Sequence, residues 1–363
     1  MMQLNNNFFI HSLAGSGKTT RLVKYALKFK NKKIIITTYT NKNLEEIKKK
    51  FYEINGFIPS NINITTWYTF LLDECCRPYQ KLMGINDRIN NIFFVQGDPA
   101  RFIPERDTKR HYFNKEGAIY SDKIAKFAFK CMNKGSNIIN RLAKITDYLF
   151  IDEAQDLSGF DFDILDKILT SNVKIIMVGD SRQNTFNTSN TNKNKKHTNN
   201  IYGWFKQKQG EGKGILKSMR ICWRCNAQIC SFADSIYPEF EKAVSKNTIV
   251  TGHDGIFYVK KNNLQKYMEE YSPLILINDK RAKRQVPNFK TLNYGLSKGI
   301  TTDRVLIVTT EPIRKYLQKG TKPDSRDKFY IAVTRARYST AFLIDDSADL
   351  NKFYFNSICE YTP

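Results

Sequence analysis

A chain of 363 residues has room for two or three domains with proper cores, and 41% hydrophobic and 26% charged residues are ordinary for a globular protein. No run of 18 apolar residues and no leader-type apolar region occurs, which excludes a helical membrane span and leads us to expect a cytoplasmic protein with its seven cysteines reduced. The charge is out of the ordinary: 58 Lys and Arg against 35 Asp and Glu give a formal +23, and with 19 Tyr and 25 Phe this points to nucleic acid, whose phosphates take cations and whose bases stack on rings.

In chain order, Phe8-Phe9-Ile10 reads as a short buried strand, followed by the loop Ser12-Leu13-Ala14-Gly15-Ser16-Gly17-Lys18-Thr19-Thr20 and a helical pattern from Arg21. Strand, glycine loop and helix are the setting of a phosphate-binding P-loop, with Ser12 standing where its first glycine is usual. Backbone N–H groups of Ala14 to Thr20 would cradle the phosphates, Lys18 would reach the β- and γ-phosphates, and Thr19 would ligate Mg²⁺. The chain is therefore expected to bind a nucleoside triphosphate. Strands at 33–37 and 62–66 each run into a polar cluster, and residues 75–145, rich in basic helical stretches, read as an inserted helical subdomain.

Tyr148-Leu149-Phe150-Ile151 delivers Asp152 and Glu153 at a strand end. The first acid would hold Mg²⁺ and the second would polarise the attacking water. Another strand, 174–178, ends in Gly179-Asp180-Ser181-Arg182-Gln183, and the Asn/Thr/Lys stretch 187–200 reads as a mobile loop. Strands at 256–259, 274–277, 305–308 and 340–344 make a second α/β unit, so the nucleotide is expected in a cleft between two lobes. Cys222-x-x-Cys225 with Cys230 lacks an evident fourth ligand, and small buried hydrophobes account for these cysteines better than zinc.

Taken together, the ordered motifs resemble superfamily 1 helicases of the UvrD/Rep type. Residues 14–20 resemble motif I, Thr38-Tyr39-Thr40-Asn41-Lys42 motif Ia, and Thr66-Trp67-Tyr68-Thr69-Phe70 motif Ib. Asp152-Glu153-Ala154-Gln155-Asp156 is similar to motif II, 179–183 to motif III, 222–225 to motif IV, 295–299 to motif V and 333–337 to motif VI. The resemblance implies two RecA-like parallel-sheet lobes, divided as 1–74, 75–145 (insertion), 146–205 and 206–363, with no substantial 2B subdomain. It implies catalytic roles for Lys18, Asp152, Glu153, Gln183, Arg224 and Arg335, the two arginines acting as fingers on the transferring phosphoryl.

The same resemblance puts Ala14, Gly15, Ser16, Gly17, Lys18, Thr19, Thr20, Arg21, Trp223 and Gly299 at the nucleotide, with ATP, or else another NTP or a dNTP, and Mg²⁺ as cofactors, Thr19 and Asp152 being the metal ligands. It puts Thr38, Tyr39, Asn41, Lys42, Thr66, Trp67, Tyr68, Phe186 and Lys298 at single-stranded or tailed DNA. Three departures bear on substrate: only seven residues precede Phe8, leaving no adenine-reading Q-motif; Thr301 replaces the usual ribose-binding acid; and Arg21 sits one residue past the usual arginine position. The expected activity is a 3′→5′ ATP-dependent DNA translocase or helicase. The alternatives are a DNA-stimulated NTPase subunit signalling to a separate, OLD-family-like nuclease, as in Gabija-type anti-phage systems, and a nucleotide-gated DNA-binding protein.

Overall fold

Runs of β-branched and aromatic residues bounded by charge or glycine become strands here, because fully buried parallel strands need apolar side chains on both faces. The computed structural model describes residues 6–95, 97–185, 187–323 and 325–363. In the first sheet β1 is Phe8–Ser12, β2 Ile34–Thr38, β3 Ile62–Thr66, β4 Tyr148–Ile151, β5 Lys174–Gly179 and β6 Ile215–Met219, in spatial order 3-2-4-5-1-6. The β3–β2, β2–β4, β4–β5 and β5–β1 pairings are all parallel. In the second sheet β7 is Gly255–Lys260, β8 Leu274–Ile277, β9 Thr291–Asn293, β10 Thr302–Val308, β11 Ala336–Ile344 and β12 Cys359–Glu360. Its order is 9-8-10-11-7-12, and every pairing is parallel. The fold is α/β, with two six-stranded RecA-like parallel sheets.

Helix signals are equally local. Lys18–Ala26 (α1) buries Leu22, Val23 and Ala26 at helical spacing. Asn41–Asn55 (α2) starts where the Thr40 side chain accepts a hydrogen bond from Asn43 N–H at 3.2 Å, and ends at Gly56 in the left-handed region. Between β3 and β4 the chain forms short helices, including Ile124–Asn133 and Ile138–Ile145, and a two-residue parallel bridge joins Ile92–Phe93 to Ile119–Tyr120.

Contacts divide the chain into two compact units. The first comprises Met1–His11, Lys18–Ser181 and Phe186–Ser218; the second comprises Ser12–Gly17, Arg182–Thr185 and Met219–Pro363. No helix among the described residues is long and apolar enough to cross a membrane.

The stretch 187–200 departs from the expected mobile loop. Thr188 and Ser189 are buried, and they hold the turn before the helix Phe160–Leu169: the Ser158 N–H donates to Thr188 Oγ1 at 2.8 Å and the Ser189 N–H to Ser158 Oγ at 2.8 Å. Asn194 further binds the Gly159 carbonyl at 2.9 Å. Short polar side chains that look like linker in a composition count can instead satisfy buried groups locally. Asp161 is one such group: fully buried, it accepts from Trp67 Nε1 at 2.8 Å and from the Thr188 hydroxyl, and burial pushes its carboxyl up to about 6. The string Ile201–Trp204 begins the helix Ile201–Gly210, and its Trp204 packs edge-on against Phe9, ring centroids 5.5 Å apart.

Candidate nucleotide and nucleic-acid site

In the first unit, the start of α1 meets the end of β4. Lys18 Nζ lies 2.9 Å from Glu153 Oε1, and Thr19 Oγ1 donates to Asp152 Oδ2 at 2.9 Å. Glu153 holds a left-handed backbone, φ 56°, which an L-residue adopts only at a cost of roughly 1–2 kcal/mol. Its own N–H reaches back to Asp152 Oδ1 at 3.0 Å. Gln155 donates to the Glu153 carboxylate and accepts from the Asp180 N–H at 3.0 Å, tying this strand end to the end of β5. Burial, and next to it the Glu153 charge, pushes the Asp152 carboxyl up to about 7, an acid pair suited to a divalent cation.

The second unit contains the loop Ser12–Gly17. Gly15 and Gly17 both have φ +72°, and the buried Ser16 hydroxyl has no hydrogen-bond partner among the described residues. A loop of this conformation with a spare hydroxyl fits phosphate oxygens. Several contacts brace it. Trp223 N–H donates to the Gly15 carbonyl at 2.9 Å, the Cys222 thiol to the Ala14 carbonyl at 3.3 Å, and Ala14 N–H to Tyr330 Oη at 3.4 Å. Arg182 donates to the Ser12 carbonyl at 3.1 Å while its guanidinium lies 5.1 Å from the Tyr330 ring centre and 5.6 Å from that of Phe240.

Arg335 is 1% exposed in the same unit. Its Nη2 donates to Gln183 Oε1 at 3.2 Å and its Nε to the Ile331 carbonyl at 2.9 Å, so two of the expected catalytic residues, Arg335 and Gln183, touch each other. Arg224 donates to the Thr334 carbonyl at 3.1 Å, and Trp223 is 63% exposed. Lys298 is half-buried and Gly299 exposed at the end of a short turn, while Thr20 is half-buried and Arg21 exposed on α1. Arg337 forms an exposed pair with Asp303 at 3.1 Å. Cys222, Cys225 and Cys230 are all buried in the second unit's core.

The residues expected at DNA sort by exposure. Asn41 and Lys42 are exposed, Tyr39 and Thr66 half-buried, and Thr38 buried at the end of β2. Trp67 is core: 1% exposed, stacked on Phe70 and bonded to Asp161. Tyr68 is 4% exposed, and its hydroxyl donates to the Thr188 carbonyl at 3.0 Å, so its ring face is not presented to solvent. Phe186 lies outside the described residues.

Residues 2–188 match the family model of an AAA domain, and residues 136–344 match that of the viral superfamily 1 RNA helicase core domain, each over more than half of the chain. The chain belongs to the superfamily 1 helicases. Membership implies NTP hydrolase activity and the use of nucleotide with Mg²⁺. Among solved structures, arterivirus nonstructural protein 10, a helicase, aligns with this helicase at 15% identity over 96% of this chain and 62% of its own, TM-score 0.48. The PRRSV helicase aligns at 15% identity over 96% and 54%, TM-score 0.45, and a complex of the arterivirus protein with DNA at 14% over 96% and 63%, TM-score 0.48. The chain thus spans less than two thirds of the length of these helicases. No curated protein matches it.

Several bracing residues of this helicase were not legible as site residues in its sequence. Arg182 sits beside Gln183 and could be suspected from that adjacency, whereas Tyr330 and Asp161 carry no local signal at all.

Proposed function

We propose that this superfamily 1 helicase hydrolyses ATP to drive movement along single-stranded DNA, 3′→5′, with Lys18, Asp152, Glu153, Gln183, Arg224 and Arg335 in their family roles. The observation that carries the reading is the connected cluster Lys18, Thr19, Asp152 and Glu153, which puts a cation, a hydroxyl and two carboxylates where the P-loop enters α1. Lys18 neutralises phosphate oxygens, and Glu153, released from Lys18 when phosphate competes for that ammonium, takes a proton from the attacking water. Mg²⁺ held by Thr19 and Asp152 would supply the remaining charge neutralisation on the phosphates. Arg224 and Arg335 stabilise the charge that develops on the transferring phosphoryl, and Trp223, left largely in water, stacks on the base. The two halves of the motif set would then couple the hydrolytic cycle to steps along DNA.

Lys18→Ala should abolish nucleotide binding, while Glu153→Gln should bind nucleotide and stop turnover. An unchanged hydrolysis rate in Glu153→Gln would sink the assignment. Stimulation by single-stranded DNA above that by blunt duplex supports the DNA reading, and polarity follows from strand displacement on 3′- against 5′-tailed duplexes. Separating each base pair forfeits about 1.4 kcal/mol of stacking. Vigorous hydrolysis with little unwinding would favour the alternative in which the chain signals to a separate nuclease.

A further inference from the structure

At the end of the first sheet away from Asp152 and Glu153, a cavity of about 520 Å³ opens beside the first residues of its central strands, a volume in the range of ligand pockets. Ile34, Tyr148 and Lys174 stand side by side there in the parallel register, so β2, β4 and β5 all begin at this face. Asp152 follows Tyr148 by four residues, about 13 Å at the rise of a strand, which sets the cavity apart from the nucleotide chemistry.

The charge around it is strongly one-signed. Lys28, Lys30, Lys32 and Lys174 line it against one carboxylate, Asp147. That carboxylate is already engaged, by Lys32 Nζ at 3.2 Å and by the Lys33 N–H at 2.8 Å. Among the described residues, Lys28, Lys30 and Lys174 have no carboxylate within ion-pair distance. Lysines on a surface are ordinarily just solvated, but the loop that carries three of these is fixed. Asn61 Nδ2 donates to the Phe29 carbonyl at 3.1 Å and to the Lys32 carbonyl at 2.7 Å. The lining also includes two rings, the half-buried Phe29 and the buried Tyr148, with centroids 4.5 Å apart.

Charge complementarity calls for an anion, and the lining distinguishes which. Arginine's planar fork is the best match to phosphate, and no described lining residue is an arginine. Bases need an open ring face, whereas Phe29 already packs on Tyr148 and sits edge-on to Phe150, centroids 6.3 Å apart. Asn31 and Asn172, both exposed on the lining, offer amide carbonyls as well as donors. A phosphodiester has acceptors only, while a peptide backbone has N–H groups to meet those carbonyls. We propose that this cavity docks an acidic segment of a partner protein, its carboxylates on Lys28, Lys30 and Lys174 and one apolar side chain against Phe29 and Tyr148. The inference is independent of the DNA reading above.

The probe is a fluorescein-labelled peptide of aspartates flanking one leucine, titrated into the full chain and followed by anisotropy. The wild type should bind it at low salt, with affinity falling as salt rises. Lys28→Glu/Lys30→Glu, at two exposed positions, should weaken binding roughly tenfold or more. Asp147→Asn keeps an acceptor for the Lys33 N–H but releases Lys32, and should tighten binding roughly threefold. A gain of affinity cannot come from a damaged fold, and melting temperature checks the lysine variant. Asparagine in place of the probe's leucine should weaken binding roughly fivefold. Hydrolysis, with or without oligo-dT, should stay at the wild-type rate in both variants. No binding by the wild type, or equal affinity in wild type and lysine variant, would overturn the docking site. So would an oligo-dT of matched charge that displaces the peptide and loses the same affinity in the lysine variant, since nucleic acid would then be the occupant.

Discussion

Gly15 is where the conformation of the phosphate loop and its packing can be separated by mutation. A Cβ built at Gly15 would lie 2.6 Å from Arg224 Cβ and 3.0 Å from Cys222 Sγ. Arg224 Cβ is fixed to the main chain, and the neighbouring Trp223 N–H is bonded to Gly15's own carbonyl, so this neighbour cannot swing aside. Gly17 has the same φ, +72°, but a Cβ there meets nothing nearer than Trp223 Cδ1 at 4.0 Å. Gly17→Ala therefore carries only the left-handed penalty, about 1–2 kcal/mol. Gly15→Ala adds overpacking of about 1–3 kcal/mol.

For a unit of this size 1 kcal/mol is roughly 2–4 °C in melting temperature, so Gly15→Ala should melt roughly 2–12 °C below Gly17→Ala. Thermal unfolding without nucleotide, followed by tryptophan fluorescence, reads this directly. Should the loop relax and leave the melting temperature intact, the same penalty moves into nucleotide affinity, which would fall by roughly 30-fold or more. A Gly15→Ala protein that melts with the wild type and binds nucleotide as tightly would refute the packing of Arg224 and Cys222 on this loop.

Two further outcomes are expected. Arg335→Lys keeps a charge but loses the planar fork that reaches both Gln183 and the Ile331 carbonyl; turnover should fall about a hundredfold or more while nucleotide binding changes little, and equal turnover in a steady-state assay would remove Arg335 from the chemistry. His253 is stacked between Phe257 and Tyr271, centroids 3.9 and 3.8 Å away, and burial pulls its pKa down to about 4. A depressed histidine binds its proton more readily when unfolded, so this contribution is full above pH 6.5 and is lost as pH falls toward 4, by up to about 3 kcal/mol. His253→Phe should flatten that limb of the stability profile, as measured by urea unfolding at several pH values, and an unaltered limb would exclude His253 as its source.

What could be read from the sequence follows from how local each physical requirement is. Strands and helices were legible because burial patterns repeat within a few residues, and Phe8-Phe9-Ile10 or Tyr148-Leu149-Phe150-Ile151 has no other reading in an α/β chain. The P-loop and the acid pair were legible because phosphate and metal chemistry dictates residue types at fixed spacing, and the fold brings Lys18 and Thr19 onto Glu153 and Asp152 from over 130 positions away. Exposure was not legible. Tyr68 and Trp67 look like strand-contacting aromatics, yet Trp67 is needed by a buried carboxylate and Tyr68 by the Thr188 carbonyl, both contributed by segments about a hundred residues downstream. Within 187–200, Thr188 departs from the expected mobile loop for the same reason, since its hydroxyl satisfies Ser158 and Asp161. A charge of +23 points to a polyanion as partner but not to its place, because a polyanion groove is assembled from side chains distant in sequence. The motif residues are thus written in contiguous letters, whereas exposure emerges only from the packing of segments distant in sequence.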